Sequence, residues 1–194
     1  FAIVLGMSAQ KTYDFESPAT AISLQYFGSS LDGTLSATIN NPDASGINTS
    51  AKVGQFIKPP AAELWTGAFA KPAISPVDST GGGQVCLKVW MDHVGSVSVK
   101  LESPIEGGEN WITTQPYTTP NAWAELCFDF SSPSIEDSKL PASGKTFTGF
   151  VLFFDFLEPA VTADESYYFD DVVFPAGEVS GTTTTIYDFE TGNT

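Results

Sequence analysis

The stretch QVCLKVWMD, Gln84 to Asp92, decides the fold. Val85, Leu87, Val89 and Met91 fall on one side of an extended chain and Cys86, Lys88, Trp90 and Asp92 on the other, because successive strand side chains point to opposite faces. The same period of two runs through SVSVKLES, where Val97, Val99 and Leu101 oppose Ser98, Lys100 and Glu102. It runs again through AWAELCFDF, where Leu126, Phe128 and Phe130 oppose Trp123, Glu125, Cys127 and Asp129. Further runs rich in Val, Phe, Tyr and Thr (TYDFE, AISLQYF, LSATINN, AKVGQFIK, ELWTGAFA, TGFVLFFDF, SYYFDDVVF) recur between clusters of Gly, Pro, Asn and Ser. Helical periodicity is nearly absent, so the chain is predicted to be all-β, an antiparallel β-sandwich or jelly roll. FVLFFDF is apolar on both faces as far as Asp155, which predicts a strand central in its sheet.

Composition narrows the function. The 194 residues are 42% hydrophobic and 13% aromatic, enough for one well-buried core. All 8 basic residues are lysine, and 23 acidic residues bring the formal net charge to −15. Such a surface argues against nucleic acid and anionic membranes, which require basic patches. No stretch approaches the length of a membrane span. The balance suits a secreted protein, a salty environment or Ca2+ binding without choosing among them.

The ends read differently from the middle. FAIVLGMSAQ (residues 1–10) is apolar and then small, the pattern of a secretory signal-peptide remnant with cleavage near Ala9 or Gln10; an apolar N-terminal strand is the alternative. Tyr13-Asp14-Phe15-Glu16 returns as Tyr187-Asp188-Phe189-Glu190, a separation suited to a whole domain rather than a solenoid repeat. The expected organisation is a module over 11–175, a linker over 176–184 and the start of a second, truncated repeat over 185–194. Cys86 and Cys127 lie in separate predicted strands. In an exported protein they could pair, closing a loop of about 40 residues worth about 4 kcal/mol in the chain-entropy model; two buried thiols are the equal alternative.

If QVCLKVWMD, SVSVKLES, AWAELCFDF and FVLFFDF share one sheet, its outer face carries Lys88, Trp90, Lys100, Glu102, Trp123, Glu125 and Asp155. Flat indoles among paired charges suit sugar, since rings stack on C–H faces while charged groups bind hydroxyls. Ordinary cross-strand packing and solubilising charge account for the same residues. GGENWITTQPY reads as a loop able to present Trp111 and Tyr117 to a glycan, or to plug one end of the sandwich with Trp111. Catalysis finds little support. His93 is the one histidine, in the hairpin-like MDHVGS, and neither a Gly-x-Ser-x-Gly nor a His-Glu-x-x-His is present. TGGGQV is a turn rather than a phosphate cradle. Carboxylates for a metal are better placed: Asp14 and Glu16 share one side of a strand, while adjacent Asp170 and Asp171 would point to opposite faces, so that one of each pair could meet around a hard cation. Asn48-Thr49-Ser50 is formally a glycosylation sequon, although Asn48 capping a turn at a strand entry is the simpler reading.

Taken in order, YDFE, NNPDASGINTSAKVGQFIK, ELWTGAF, VSVKLES, AWAELCFDF, GFVLFFDF and YYFDDVVF resemble the non-catalytic carbohydrate-binding-type modules of secreted Bacteroidetes proteins. These belong to the galactose-binding-like jelly rolls and are similar to carbohydrate-binding module families 4, 9 and 22. The resemblance spans Lys11 to about Pro175, and its most specific part is Asn41, Pro42 and Gly46 to Ser50. It implies a structural Ca2+ held by Glu16 and Asp170, with Asp14 and Asp171 as further candidates and loop carbonyls completing the shell. It also implies a polysaccharide partner, possible β-glucan among them, on a concave sheet face or at the loop tips. Its ligand positions vary too much to carry over, so Trp90, Lys100, Glu102, Trp111, Tyr117, Trp123 and Glu125 rest on the residues alone. The expected role is a secreted or cell-surface binding module without catalysis, beside neighbouring repeats or an enzyme domain. A structural or adhesive spacer repeat is the alternative, in which the Trp90 and Trp123 face would be occluded.

Overall fold

The computed structural model describes residues 11–70, 77–78, 83–103, 110–129, 133–136, 146–158 and 162–175. The expected signal remnant, linker and second repeat lie outside these residues, as does Phe130. The strands are β1 (Lys11–Tyr13), β2 (Gln25–Phe27), β3 (Ala37–Asn40), β4 (Lys52–Lys58), β5 (Gly67–Ala70), β6 (Val77–Asp78), β7 (Gln84–Trp90), β8 (Gly95–Glu102), β9 (Asn110–Tyr117), β10 (Ala124–Asp129), β11 (Thr146–Phe147), β12 (Gly149–Phe154) and β13 (Glu165–Phe174). They form a six-stranded sheet in the order β10-β7-β13-β4-β3 with β1 also on β13, a five-stranded sheet in the order β2-β5-β12-β8-β9, and a small β6-β11 ribbon. Every pairing is antiparallel, the predicted sandwich.

The inward residues of both sheets make the core. Val85, Leu87, Val89 and Met91 from the β7 stretch meet Val97, Val99 and Leu101 from β8, all essentially buried, and Phe150, Leu152 and Phe154 from β12 join them. β12 is the middle strand of its sheet, as its two apolar faces predict. Tyr13, Phe15, Phe169, Phe174 and Tyr167 supply aromatic edges; Phe15 meets Phe169 edge-on at 5.2 Å.

Three expectations are corrected. First, β7 and β10 belong to one sheet and β8 and β12 to the other, so the expected outer-face residues divide between two opposite faces. Second, GGENWITTQPY is not a presenting loop: Asn110–Tyr117 is strand β9, paired with β8 along its length, and both aromatics point inward. Trp111 and Tyr117 are fully buried, the Tyr117 hydroxyl among the carbonyls of Met91, Thr119 and Ala122 (3.2, 2.6 and 2.5 Å). Pro116 disguises the strand, yet β9 is an edge, where a missing N–H is tolerated. Third, Asp170 and Asp171 do not point to opposite faces. Register slips between Asp170 and Val173, Asp171 takes a positive φ of 45°, and Phe169 and Val172 both stay buried, so the bulge puts both carboxylates on the outer side of the sheet, where Asp170 is covered and Asp171 partly exposed.

Cys86 and Cys127 face each other across β7 and β10 and are joined in a disulfide.

Candidate functional site

The outer face of the five-stranded sheet is the candidate site, and its rows follow from the strand register. One row crosses all five strands as Gln25, Phe69, Val151, Lys100 and Ile112. The next begins with Phe27 opposite Gly67 and continues on the far side as Phe153, Ser98 and Thr114. Because β12 is apolar on both faces, Val151 and Phe153 lay a hydrophobic floor outside the sheet, where Ile112, Phe27, Phe69 and Phe156 pack against them. Phe153 meets Phe156 at 4.7 Å and Phe27 edge-on at 5.8 Å.

Trp65 stands over this floor from the segment before β5. Its ring lies nearly parallel to Phe27, with centroids 6.0 Å apart and planes inclined by 16°. It is 49% exposed, a large cost for an indole in water unless something covers it. The segment is anchored beneath: Glu63 N–H and the Thr66 hydroxyl both donate to the Gly28 carbonyl, and Leu157 N–H donates to the Leu64 carbonyl (2.9 Å). Gly28 must be glycine here, since it has φ +77° and an added Cβ would lie 2.8 Å from the Trp65 ring. Gly67 leaves room in the same way, for a Cβ there would stand 2.6 Å from Phe153 and 2.8 Å from Phe27.

Charge rims the floor. Lys100 Nζ lies 3.8 Å from Glu102 Oε1 and 3.5 Å from Glu136 Oε1, and Glu136 is brought in where Ile135 N–H donates to the Ile112 carbonyl (2.9 Å). Phe27, Trp65, Phe69, Phe153, Phe156 and the Lys100 trio thus line a groove of about 390 Å³. An apolar aromatic platform with a few fixed polar groups at its edge can take the C–H face of a sugar and bind its hydroxyls. Of the residues expected from sequence, Lys100 and Glu102 lie in this groove.

The others do not. Trp90, Trp123 and Glu125 sit on the six-stranded sheet, and the loop between β3 and β4 folds over the two indoles. Trp90 donates its indole N–H to Asp43 Oδ2 (3.2 Å), Trp123 donates to the Asp43 carbonyl (2.7 Å), and Trp123 is only 7% exposed. Glu125 remains exposed, opposite Lys88 in the ladder. Trp65, Phe27, Phe69, Phe156 and Glu136 were not singled out by sequence. Their signal was the second apolar face of FVLFFDF, which marks an uncovered floor as well as a central strand.

The expected metal residues gather around the end of the same β3–β4 loop, though not as one cluster. Asp170 is fully buried; its Oδ2 accepts from Asn48 Nδ2 (3.0 Å) and its Oδ1 from Asp171 N–H (2.8 Å). Burial outweighs these hydrogen bonds and pushes its pKa up to about 6. Glu16 Oε1 accepts from Ala51 N–H (2.7 Å) and Lys52 N–H (3.0 Å). Asp14 Oδ1 accepts from Glu16 N–H (3.1 Å), and Asp171 pairs with Lys88 at 2.6 Å. Asn48 does cap its turn, its Oδ1 accepting from Ser50 N–H (3.1 Å).

No protein-family model matches the sequence, and no curated protein does. Solved structures share its architecture. The CBM22-1–GH10 modules of the Clostridium thermocellum N-terminal endo-1,4-β-D-xylanase 10B, complexed with xylohexaose, match with a TM-score of 0.51 at 13% identity, over 88% of this chain and 28% of that one. The CBM22-1 xylan-binding domain of Paenibacillus barcinonensis Xyn10C matches with a TM-score of 0.51 at 11% identity, over 93% of this chain and 100% of that one. The fold is the jelly roll of carbohydrate-binding modules. A point variant of the family 29 module CBM29-2 gives a TM-score of 0.50 at 10% identity, over 88% and 87% of the two chains. Likeness at such identities speaks for the architecture of this module-type jelly roll and assigns no residue in it a role.

Proposed function

We propose that the chain is a non-catalytic carbohydrate-binding module that takes a polysaccharide in the groove of its five-stranded sheet. The observation that carries the reading is Trp65, half exposed and stacked over Phe27 above an apolar floor, with Lys100, Glu102 and Glu136 at the rim. A β-glucan and xylan head the panel to be tested; the two module structures above are described with xylohexaose and as xylan-binding. Weak single-site affinity would be offset by a linked second module at high effective concentration. The Cys86–Cys127 disulfide supports an extracellular setting, where such bonds persist.

A structural Ca2+ belongs to the same proposal. Glu16 and Asp170 both bind the 48–52 segment, the candidate donors are hard oxygens, and a cation beside Asp170 would offset the desolvation of its carboxylate. Asp14 and Asp171 are weaker candidates, since one caps Glu16 and the other is paired with Lys88. Melting with and without EDTA, and after Ca2+ is restored, tests it: a folded-state ligand raises the melting temperature by mass action, and identical curves would exclude the site.

The spacer-repeat alternative draws support from the covering of Trp90 and Trp123 by the Asp43 loop. The open groove on the opposite sheet favours binding. Native affinity electrophoresis decides between them: retardation by at least one polysaccharide, lost in Trp65→Ala, is expected, whereas migration unaffected by every polysaccharide would leave the spacer.

A further inference from the structure

At one end of the sandwich, away from the groove floor, two connections bring together His93, Asp155 and Glu165. One ligand atom from each lies within 4.8 Å of the others, the only such group of histidine, cysteine and carboxylate side chains among the described residues. His93 comes from the β7–β8 turn, Asp155 follows β12 and Glu165 opens β13. His93 Nε2 stands 2.8 Å from Asp155 Oδ2, while Nδ1 stands 2.6 Å from Asp92 Oδ1. The Tyr167 hydroxyl lies 3.0 Å from Asp155 Oδ2 and 2.5 Å from Glu165 Oε2. Asp155 is 7% exposed, and Ser96 N–H donates to its Oδ1 at 2.8 Å. Gly95 is what lets that carboxylate seat, since a Cβ there would lie 2.2 Å from Asp155 Oδ1.

With a neutral imidazole these contacts do not balance. Four close pairs (Asp92 with His93, His93 with Asp155, Tyr167 with Asp155, Tyr167 with Glu165) each need one hydrogen. The phenol supplies one and a neutral imidazole one; an imidazolium supplies a second, which satisfies both His93 pairs and still leaves one pair at Tyr167 short. In the neutral ring with Nδ1–H donated to Asp92, the imidazole turns an Nε2 lone pair toward the Asp155 carboxylate, and in either state two lone-pair-bearing oxygens face each other at Tyr167. That is the tautomer and orientation a second carboxylate commonly imposes on a metal-bound histidine. The group also opens on a pocket of about 480 Å³, lined in addition by Val94, Ser96 and Glu158, which gives an ion a way in and room for water. Lys58, buried at its wall, directs Nζ to the main-chain carbonyl of Asp155 (3.0 Å).

We propose that His93 Nε2, Asp155 Oδ2 and a Glu165 carboxylate oxygen form a three-ligand site for a first-row transition dication of the zinc class, with water from the pocket as fourth ligand. One nitrogen and two carboxylate oxygens make a donor set for zinc rather than calcium, which prefers oxygen throughout. His93 and Glu165 are both partly exposed beside the pocket, so their side chains have room to adjust about an ion. The ion would add a cross-link between the β7–β8 turn and the two ends of the β12–β13 connection, beside the main-chain bond from Asp155 N–H to the Ser96 carbonyl (2.9 Å).

Because the chain has a single histidine, its imidazole ring signals in NMR report the site without ambiguity. Protein stripped with chelator and returned to excess Ca2+, so that any oxygen-only site is filled, is titrated with ZnCl2. The expected result is a shift of the His93 ring signals that saturates at one equivalent, a rise in melting temperature, loss of the rise in both His93→Gln and Glu165→Gln, and affinity about tenfold or more weaker in Asp92→Ala. Ring signals unmoved by Zn2+ in the unaltered protein, or a thermal response retained in His93→Gln, would overturn the site. The spectroscopic arm uses the native chain, so a variant that fails to fold does not rescue the proposal.

Discussion

Trp65 and Phe27 lie face to face, 6.0 Å between centroids and 16° between planes, while Gly67 on β5 presents no side chain between Phe27 and Phe153. One aromatic thus supports another over bare backbone, and the upper ring is left half exposed. Trp65→Ala removes the platform without opening the core between the sheets. Buried tryptophans at binding sites commonly cost about 2 kcal/mol or more on truncation, about 30-fold in affinity. Isothermal titration with the retarding polysaccharide should show that loss, with an unchanged melting temperature.

Gly67→Ala tests the floor. The added methyl would meet Phe153 and Phe27 well inside van der Waals contact, and the rings must move. Overpacking of this kind costs about 1–3 kcal/mol, so a lower urea midpoint is expected together with weaker glycan binding. Unaltered binding and stability would show that the floor is not as tightly set.

Trp123→Ala should behave in the opposite way. Its indole is buried and holds the Asp43 carbonyl, so truncation is expected to cost about 3 kcal/mol of stability. Affinity of the remaining folded protein for polysaccharide should not change. Reduced binding at full folding would place glycan on the six-stranded sheet instead.

Asp170 sets a pH dependence in chelator. Its folded pKa of about 6 lies above the ordinary value of 3.8, so between these values the folded state binds more protons than the unfolded. Stability from this group is therefore greatest at acid pH and falls as pH rises through about 6. Melting temperatures between pH 4 and 7.5 should fall more steeply in the native chain than in Asp170→Asn. Parallel curves would contradict the buried, desolvated carboxylate.

Reducing Cys86–Cys127 should lower stability by about 2–4 kcal/mol. Urea unfolding with and without dithiothreitol measures it. Coincident midpoints would exclude a contribution from the cross-link.

Period-two alternation in QVCLKVWMD and SVSVKLES named the inward residues correctly, because burial of one face fixes strand register. It could not say which strands share a sheet, since that is set by long-range pairing. For that reason alternation alone groups Trp90 and Trp123 with Lys100 and Glu102, although they lie on opposite faces. NWITTQPY reads as a loop rather than a strand because Pro116 and its threonines look like loop chemistry, and only an edge position excuses them. The bulge that turns Asp170 and Asp171 to one side is a backbone event no alternation rule registers. The groove itself was half legible: two apolar faces on FVLFFDF announce an outer floor, but Trp65 reaches it from a loop.

Glycan binding over Trp65 is read in the indole N–H spectrum of the four tryptophans during titration with β-glucan and xylan oligosaccharides. The Trp65 signal is expected to move and saturate while those of Trp111, Trp123 and Trp90 stay in place. Movement of Trp90 or Trp123 with Trp65 unmoved, or no movement with any oligosaccharide, would contradict it.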